Sequence, residues 1–373
     1  MGAPLLYAQI CDFVLAEIRA GSLTPGARVP SEMELAERFE VSRITSKRAL
    51  EILREAGVID RIRGKGSFVV PELPDLDTLD LAGTGRSKNP TPSPAAIALV
   101  IPDVSDAYGL ELLCGIEERC AEHGISLIVR RTRGLQDVEE EVIESLVDTG
   151  RADGLIVFPV HGEYYNASLL RVILGGSPLV LVDRYLSGIP ACAVHTDNEA
   201  AAHALTEKLL RQGHRHIGFV SSPPANTSSI EERLTGYRAA YTRHGLPTTD
   251  QRLLTEMRGG LPGAFTPDIV AADVDRVAEY HAANPDITAY MVCEYNLARI
   301  VERALNTPDG TTKPVITCFD TPPDPIDGPR FTHIRQGQRA MGRTAVDHLL
   351  AQLRGEDVPK QTTVPFELIE AGD

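Results

Sequence analysis

Between Arg43 and Lys65 the chain places seven cations (Arg43, Lys47, Arg48, Arg54, Arg61, Arg63 and Lys65) against three acids, although its 373 residues carry a formal net charge of −15. Such a local surplus suits an anionic polymer, because charges farther away than about 8 Å are largely screened at physiological salt. The types within it suit double-stranded DNA. The guanidinium fork of Arg43 matches the O6 and N7 acceptors of guanine, a contact worth roughly 1–3 kcal/mol of discrimination. Ser31, Ser42 and Thr45 carry hydroxyls that can donate to phosphate, and Lys47 adds a point charge. Arg63-Gly64-Lys65-Gly66 reads as a tight turn bearing two cations, suited to the sugar-phosphate backbone or the minor groove.

A second group of chemistry-bearing residues follows short apolar runs farther along. Asp106 and Tyr108 come after Ile97–Ile101, Asp183-Arg184-Tyr185 after Leu179–Val182, Glu294-Tyr295-Asn296 after Ala289–Val292, and Asp320 after Val315–Phe319. Ligands of open α/β sheets sit outside the carboxyl ends of the strands. Acids, amides, an arginine and tyrosines offer the mixed donors and acceptors that a sugar or other polyol needs. A wrong epimer that leaves one buried acceptor unpaired loses about 1–3 kcal/mol.

Enzyme signatures are missing. There is no G-x-S-x-G elbow, no phosphate loop and no paired metal motif. The six cysteines are scattered without a CxxC pair and read as reduced thiols. Asp183, Arg184 and the histidines can be assembled into a hydrolase, but their spacing does not demand one. The expectation is no catalytic residue, no metal and no cofactor.

These residues need scaffolds. Leu6, Ile10, Phe13, Val14 and Ile18 recur at helical steps over residues 5–20. Ser31 and Glu34 form a capping-box pair opening a second helix. Ser42 caps a third, which Gly57 stops. Residues 58–62 and 67–70 alternate like the strands of a hairpin around the basic turn. Three helices and a hairpin predict a winged helix-turn-helix over residues 1–71. Residues 72–94, rich in Pro, Gly and Asp, read as a linker. From 95 to 373 short apolar strands alternate with amphipathic helices such as 110–123, 138–148, 198–212 and 229–244. Eight candidate strands exceed one small sheet, so the fold class expected is α/β, with a winged helix followed by a two-lobed, doubly wound parallel-sheet domain. No apolar run approaches the roughly 20 residues of a membrane span. The N-terminus lacks the marks of a signal peptide, so the cytoplasm is the expected compartment.

The first segment resembles the GntR family of regulators. The resemblance rests on Pro30-Ser31-Glu32, Leu35-Ala36, Val41-Ser42-Arg43 with Thr45, Ala49-Leu50, Leu53, Gly57 and Gly64-x-Gly66-Ser67-Phe68-Val69. It implies that Glu32, Arg43, Thr45, Lys47 and Gly66 lie at or near DNA. Ser46 stands where that family usually has an aliphatic residue, which predicts looser helix packing there. Residues 95–373 resemble the LacI/GalR regulators and the periplasmic sugar-binding proteins. Here the carriers are Val182-Asp183-Arg184, Thr196-Asp197-Asn198, Gly213-His214-x-His216-Ile217-Gly218, Arg233-Leu234-Thr235-Gly236-Tyr237, Phe319-Asp320 and Ile334-Arg335-Gln336. That resemblance implies an effector held between two lobes by Arg233, Asp320 and Gln336, with Asp106 and Tyr108 on the opposite wall. Glu294-Tyr295 stands where the family has an Asn-Asp pair, so the usual ligand does not transfer. A GntR-like head on a LacI-like body is the arrangement of the arabinose-repressor type, which implies a pentose or related sugar as effector. It further implies a homodimer on a two-fold DNA operator, released by that effector. Three alternatives stay open at this level: a ligand-dependent activator, a sugar-binding protein without a regulatory role, and an enzyme.

Overall fold

The computed structural model describes residues 6–39, 41, 43–62, 66–71, 73–74, 76, 96–162, 166–306 and 313–371. The chain divides into two compact units, Met1–Pro92 and Ser93–Asp373.

The first unit holds α1 (Leu6–Arg19), α2 (Glu32–Arg38), α3 (Arg43–Glu55) and a hairpin of β1 (Ile59–Ile62) and β2 (Gly66–Val69). The apolar stripe read from the sequence is its core: Ile10, Val14 and Ile18 of α1 meet Leu35 of α2, Leu50 and Leu53 of α3 and Val69 of β2. The capping box at α2 is closed both ways, with the Ser31 hydroxyl accepting from the Glu34 amide and the Glu34 carboxylate accepting from the Ser31 amide at 2.6 Å. The hairpin is antiparallel, pairing Ile59 with Val69 and Ile62 with Gly66. Ser46 is fully buried and donates to the Glu32 carbonyl at 2.6 Å. The expected loosening is thus met by a hydrogen bond that ties α3 to the start of α2.

The second unit is built on two six-stranded sheets. With the strands numbered onward as β3 (Ala96–Ile101), β4 (Ser126–Arg131), β5 (Gly154–Val157), β6 (Leu179–Val182), β7 (Cys192–Thr196), β8 (Ile217–Val220), β9 (Leu253–Leu254), β10 (Ala289–Val292), β11 (Val315–Phe319), β12 (Thr332–Gln336), β13 (Gln361–Val364) and β14 (Phe366–Ile369), the first sheet runs β13-β7-β6-β5-β3-β4 and the second β14-β12-β11-β10-β8-β9. β3 (Ala96–Ile101) shows why both faces must be covered. Ile97, Leu99 and Ile101 pack toward α4 (Leu110–Glu122) and α11 (Gln338–Leu353), while Ala98 and Val100 pack toward α5 (Gln136–Asp148) and α6 (Ala167–Leu174). A parallel strand buried on both sides reads as a continuous apolar run. The second sheet repeats the scheme. Phe219 of β8 (Ile217–Val220) and Met291 of β10 (Ala289–Val292) face α7 (Asn198–Arg211) and α8 (Ser228–Arg243). Val220 and Val292 face α9 (Pro267–Ala283) and α10 (Tyr295–Ala304).

The eight anticipated strands are present, and four more occur: β9 (Leu253–Leu254), β12 (Thr332–Gln336), β13 (Gln361–Val364) and β14 (Phe366–Ile369). β12 extends the parallel order and β14 closes its edge antiparallel. The chain passes between lobes three times: after β7 (Cys192–Thr196), after β12, and between β13 and β14. Thr196 pairs with Val364 and Gln336 with Phe366, so the crossing at Pro365 lies between the other two. Gly337 is pressed against it; a Cβ there would stand 2.6 Å from the Pro365 carbonyl oxygen. Among the described residues no helix is long and apolar enough to cross a membrane.

Candidate functional site

In the first unit, α3 begins at Arg43 and displays Lys47 on its exposed surface, while Thr45 is half-buried. Ser31 is committed to capping α2, and the Glu32 carboxylate pairs with Arg61 of the hairpin at 3.0 Å. That ion pair joins the start of α2 to the wing. Gly66 opens β2 at φ 115, a conformation that disfavours any side chain, with the Arg28 guanidinium against it. Ser42, Arg63, Lys65 and the side chain of Arg43 lie outside the described residues.

In the second unit, the strand ends of both sheets open on one cavity of about 370 Å³. Of the seven expected effector residues, Tyr108, Arg184, Arg233, Glu294, Asp320 and Gln336 line it together. Asp106 does not. It is exposed in the turn closed by Ser105 and Tyr108, whose backbone bond of 2.8 Å turns the Tyr108 ring inward and Asp106 outward. Asp106 had been placed by the family resemblance and by its position past β3, and neither fixes which way a residue within that turn points.

Two aspartates form the frame. Asp183 ends β6 (Leu179–Val182) and Asp320 ends β11 (Val315–Phe319), and the two strands hold the same place in the two sheet orders. Both adopt left-handed backbone, φ 68 and φ 52, a region sparsely populated by residues other than glycine. Each donates its own amide to the neighbouring strand, Asp183 to Val194 and Asp320 to Ile334. The kink stops the strand and aims each carboxylate across the cleft. Observed strain of this kind gathers where a site requires it.

Each carboxylate is then fixed by partners. Asp183 accepts from the Tyr108 hydroxyl and, at 3.3 Å, from Nε of Arg184. Asp320 accepts from the Gln336 side chain at 2.6 Å and its amide at 3.2 Å. Arg233, on α8, donates to Asn198 Oδ1 at 2.8 Å and to the Cys293 carbonyl at 2.7 Å, and lies 3.8 Å from the centre of the Phe319 ring. Arg184 lies 4.8 Å above Phe158. Burial pushes Asp320 up to about 6, against the pull of Gln336 and Arg233. Burial likewise pushes Glu294 up to about 7, opposed by Arg233 and Arg184 and reinforced by Asp183. It holds His161 down to about 4, with Arg184 acting in the same sense.

Several contributors were not on the list drawn from sequence. Phe158 reads from the sequence as a strand residue and Phe319 as part of the Phe319-Asp320 motif, neither as a site residue, yet both lie under arginines at the cavity. The loop Gly259–Phe265 covers part of the cleft. It is held by buried Asp273 of α9, which accepts from the amides of Arg258 at 2.9 Å and Gly259 at 2.7 Å. The cluster Gly259, Gly260 and Gly263 was a signal that backbone approaches something closely there. Polar ties join the lobes beside the cavity. Gln338, at the start of α11, donates to Asp320 at 3.4 Å, and Gly162 donates to Thr227 at 3.1 Å. Among the described residues no cluster of His, Cys, Asp and Glu is arranged to hold a metal ion.

Comparison with known proteins agrees with this architecture. Residues 6–69 match the model of bacterial regulatory proteins of the gntR family. Residues 94–260 match that of periplasmic binding proteins and the sugar binding domain of the LacI family, and residues 206–371 a periplasmic binding protein-like domain. The chain is therefore a transcription regulator of the GntR/LacI-like type, not an enzyme, with DNA and a small-molecule effector as its partners. It is 26% identical over 371 residues to the arabinose metabolism transcriptional repressor of Geobacillus stearothermophilus, covering 95% of this chain and 93% of that one. It is 28% identical over 284 residues to the HTH-type transcriptional regulator PtxS of Pseudomonas aeruginosa, covering 74% and 77%. A solved complex of the transcriptional regulator CelR with cellobiose shares the fold, with a TM-score of 0.62, 18% identity, and coverage of 92% of this chain and all of that one.

Proposed function

We propose that the protein is a homodimeric repressor that leaves its operator when a small sugar or related polyol occupies the cleft. The observation that carries this reading is the pair of kinked strand-end carboxylates, Asp183 and Asp320, one from each lobe, facing a single cavity with polar partners already in place. A ligand that bonds both draws the lobes together. It shifts the regulator only by the difference in its affinity for the two arrangements. The name of the Geobacillus relative favours a pentose such as arabinose and the repressor sign.

On the DNA side, Arg43, Thr45 and Lys47 at the start of α3 enter the major groove. Ser31 and Ser42 flank them at the phosphates, Glu32 lies near the DNA as the partner of Arg61, and Arg63, Lys65 and Gly66 form the wing contact. One winged helix reads few base pairs, so two heads on a two-fold site supply the specificity. Residues 72–94 are the tether between a DNA-binding domain of 1–71 and an effector domain of 95–373.

The test is a thermal-shift screen of the full chain with pentoses, hexoses and polyols, followed by a DNA-shift assay with each hit. Stabilisation by a sugar that also releases the DNA is the expected result. A hit that leaves DNA binding unchanged refutes the regulatory link, and a hit that tightens it makes the protein a ligand-dependent activator.

A further inference from the structure

The cavity's charge is uneven, and this bears on which polyols it takes, given that it is the effector site. Four carboxylates line it (Asp103, Asp183, Glu294 and Asp320) against two arginines, Arg184 and Arg233. Asp103 is already paired with Arg131 at 2.7 Å. The charge of Arg184 is met by Asp183 beside it. Arg233 is thereby left to offset both Glu294 and Asp320, and two of its nitrogens are already bonded to Asn198 and Cys293. His161 adds no cation, since burial keeps it neutral.

Glu294 is the residue that tips the balance. It is the N-cap of α10, yet its side chain does not cap that helix; the carboxylate instead faces the cavity it lines, with the Ser222 hydroxyl at its side. It also meets the positive end of α10 with its own charge, which removes what would otherwise attract an anion there. The first turn of α8 likewise carries its own carboxylate, Glu231. The fold makes room for Glu294: a Cβ on Gly260 would overlap its Oε2 and stand 2.8 Å from the Ser222 hydroxyl.

The unused hydrogen-bonding groups agree. Gln336 donates to Asp320 through Nε2 and leaves Oε1 buried without a partner. Glu294, Asp320 and Gln336 Oε1 together form an acceptor wall. Nη1 of Arg184 is a buried donor at the cavity that still lacks a partner among the described residues. Such a wall fits a ligand rich in O–H or N–H donors. A carboxylate or phosphate group placed here would bring acceptors to acceptors and a further negative charge into a buried site, where like charges repel strongly.

We propose that the cleft is a charge filter, admitting neutral or cationic polyols and rejecting sugar acids and sugar phosphates, with Glu294 as its specificity-determining residue. The experiment titrates the full chain calorimetrically at about pH 8.5, where Glu294 carries its charge, with matched sets on one carbon skeleton: glucose, glucosamine, gluconate and glucose 6-phosphate, and arabinose with arabinonate. Neutral or amine-bearing members bind at least about tenfold more tightly than their acid and phosphate counterparts, about 1.4 kcal/mol. Glu294→Gln removes the charge at nearly constant shape and closes that gap, whereas Glu294→Asp keeps the charge and retains it. An acid or phosphate binding more tightly than its neutral partner overturns the filter while leaving the polyol reading intact. Silence from every member overturns both. Equal discrimination in Glu294→Gln and the parent chain removes Glu294 from the role.

Discussion

Asp320 concentrates the cleft's chemistry in one side chain. It bonds Gln336 twice, sits beside Arg233 and holds a left-handed backbone. Asp320→Ala leaves Gln336 unpaired and removes an acceptor, a loss of roughly 1–3 kcal/mol. Effector affinity should therefore fall about tenfold or more by calorimetry, while DNA binding without effector is unchanged. Loss of DNA binding along with ligand binding would mean that the residue holds the fold rather than the ligand. Glu294 supports a prediction about pH. Its carboxyl is held at about 7 in the folded chain against an ordinary 4.5. Between those values the folded state carries the extra proton, so this position's contribution is full below about 4.5 and is lost as pH rises through about 7. Glu139 and Asp320 act in the same sense, and His161, held at about 4, in the opposite one. The informative quantity is thus a difference. The melting temperature of the parent chain minus that of Glu294→Gln should decline between about pH 5 and about pH 8. A flat difference would show that the buried carboxyl does not titrate there.

At the scale of elements, helix pairs approach through glycine. Gly236 of α8 lies against the backbone of α7, where a Cβ would collide with the Glu199 carbonyl, and a Cβ on Gly342 of α11 would stand 2.5 Å from the Leu112 carbonyl of α4. Gly236→Ala should therefore force α7 and α8 apart and cost about 1–3 kcal/mol, read as a lower melting temperature. An unchanged midpoint would mean the pair can slide to make room. The elements were also where the sequence was most and least legible. Apolar runs such as Leu179–Val182 are continuous because both sheet faces are covered, and they stood out. β13, with the text Gln-Thr-Thr-Val, and β14 are short, partly exposed edge strands. With one face wet they lack the apolar run, and Pro365 between them reads as a break. The cleft was legible at strand ends, where Tyr108, Arg184, Glu294 and Asp320 follow apolar runs, whereas Arg233 on α8 and Gln336 came from the family resemblance. Asp106 failed because it depends on a turn, and Phe158 and Phe319 were hidden because a strand phenylalanine reads as core. The Gly259–Phe265 loop is held by Asp273 on the next helix; its glycine cluster signals a close backbone approach but does not name the partner.

For the whole molecule, each unit has its own buried core, Ile10 to Val69 in one and four clusters in the other. Two functions can then be separated by cutting the chain. A fragment of residues 1–71 should bind operator DNA weakly and show no response to effector in a DNA-shift assay. A response would place the sensing element in the head itself. In the full chain, Arg43→Ala should abolish specific operator binding while calorimetric effector affinity is retained; each lost bidentate contact is worth about 1–3 kcal/mol per half-site. If both properties fell together, the two units would not be independent.

The three side-by-side crossings at Thr196, Gln336 and Pro365 give the effector domain a spine. Its two halves can swing like the boards of a book with little disturbance to either packed interior, because the bending is shared by a few peptides along one line. Chain ends relocated to the middle crossing by circular permutation would leave two stitches in that spine, and the book should still open and shut.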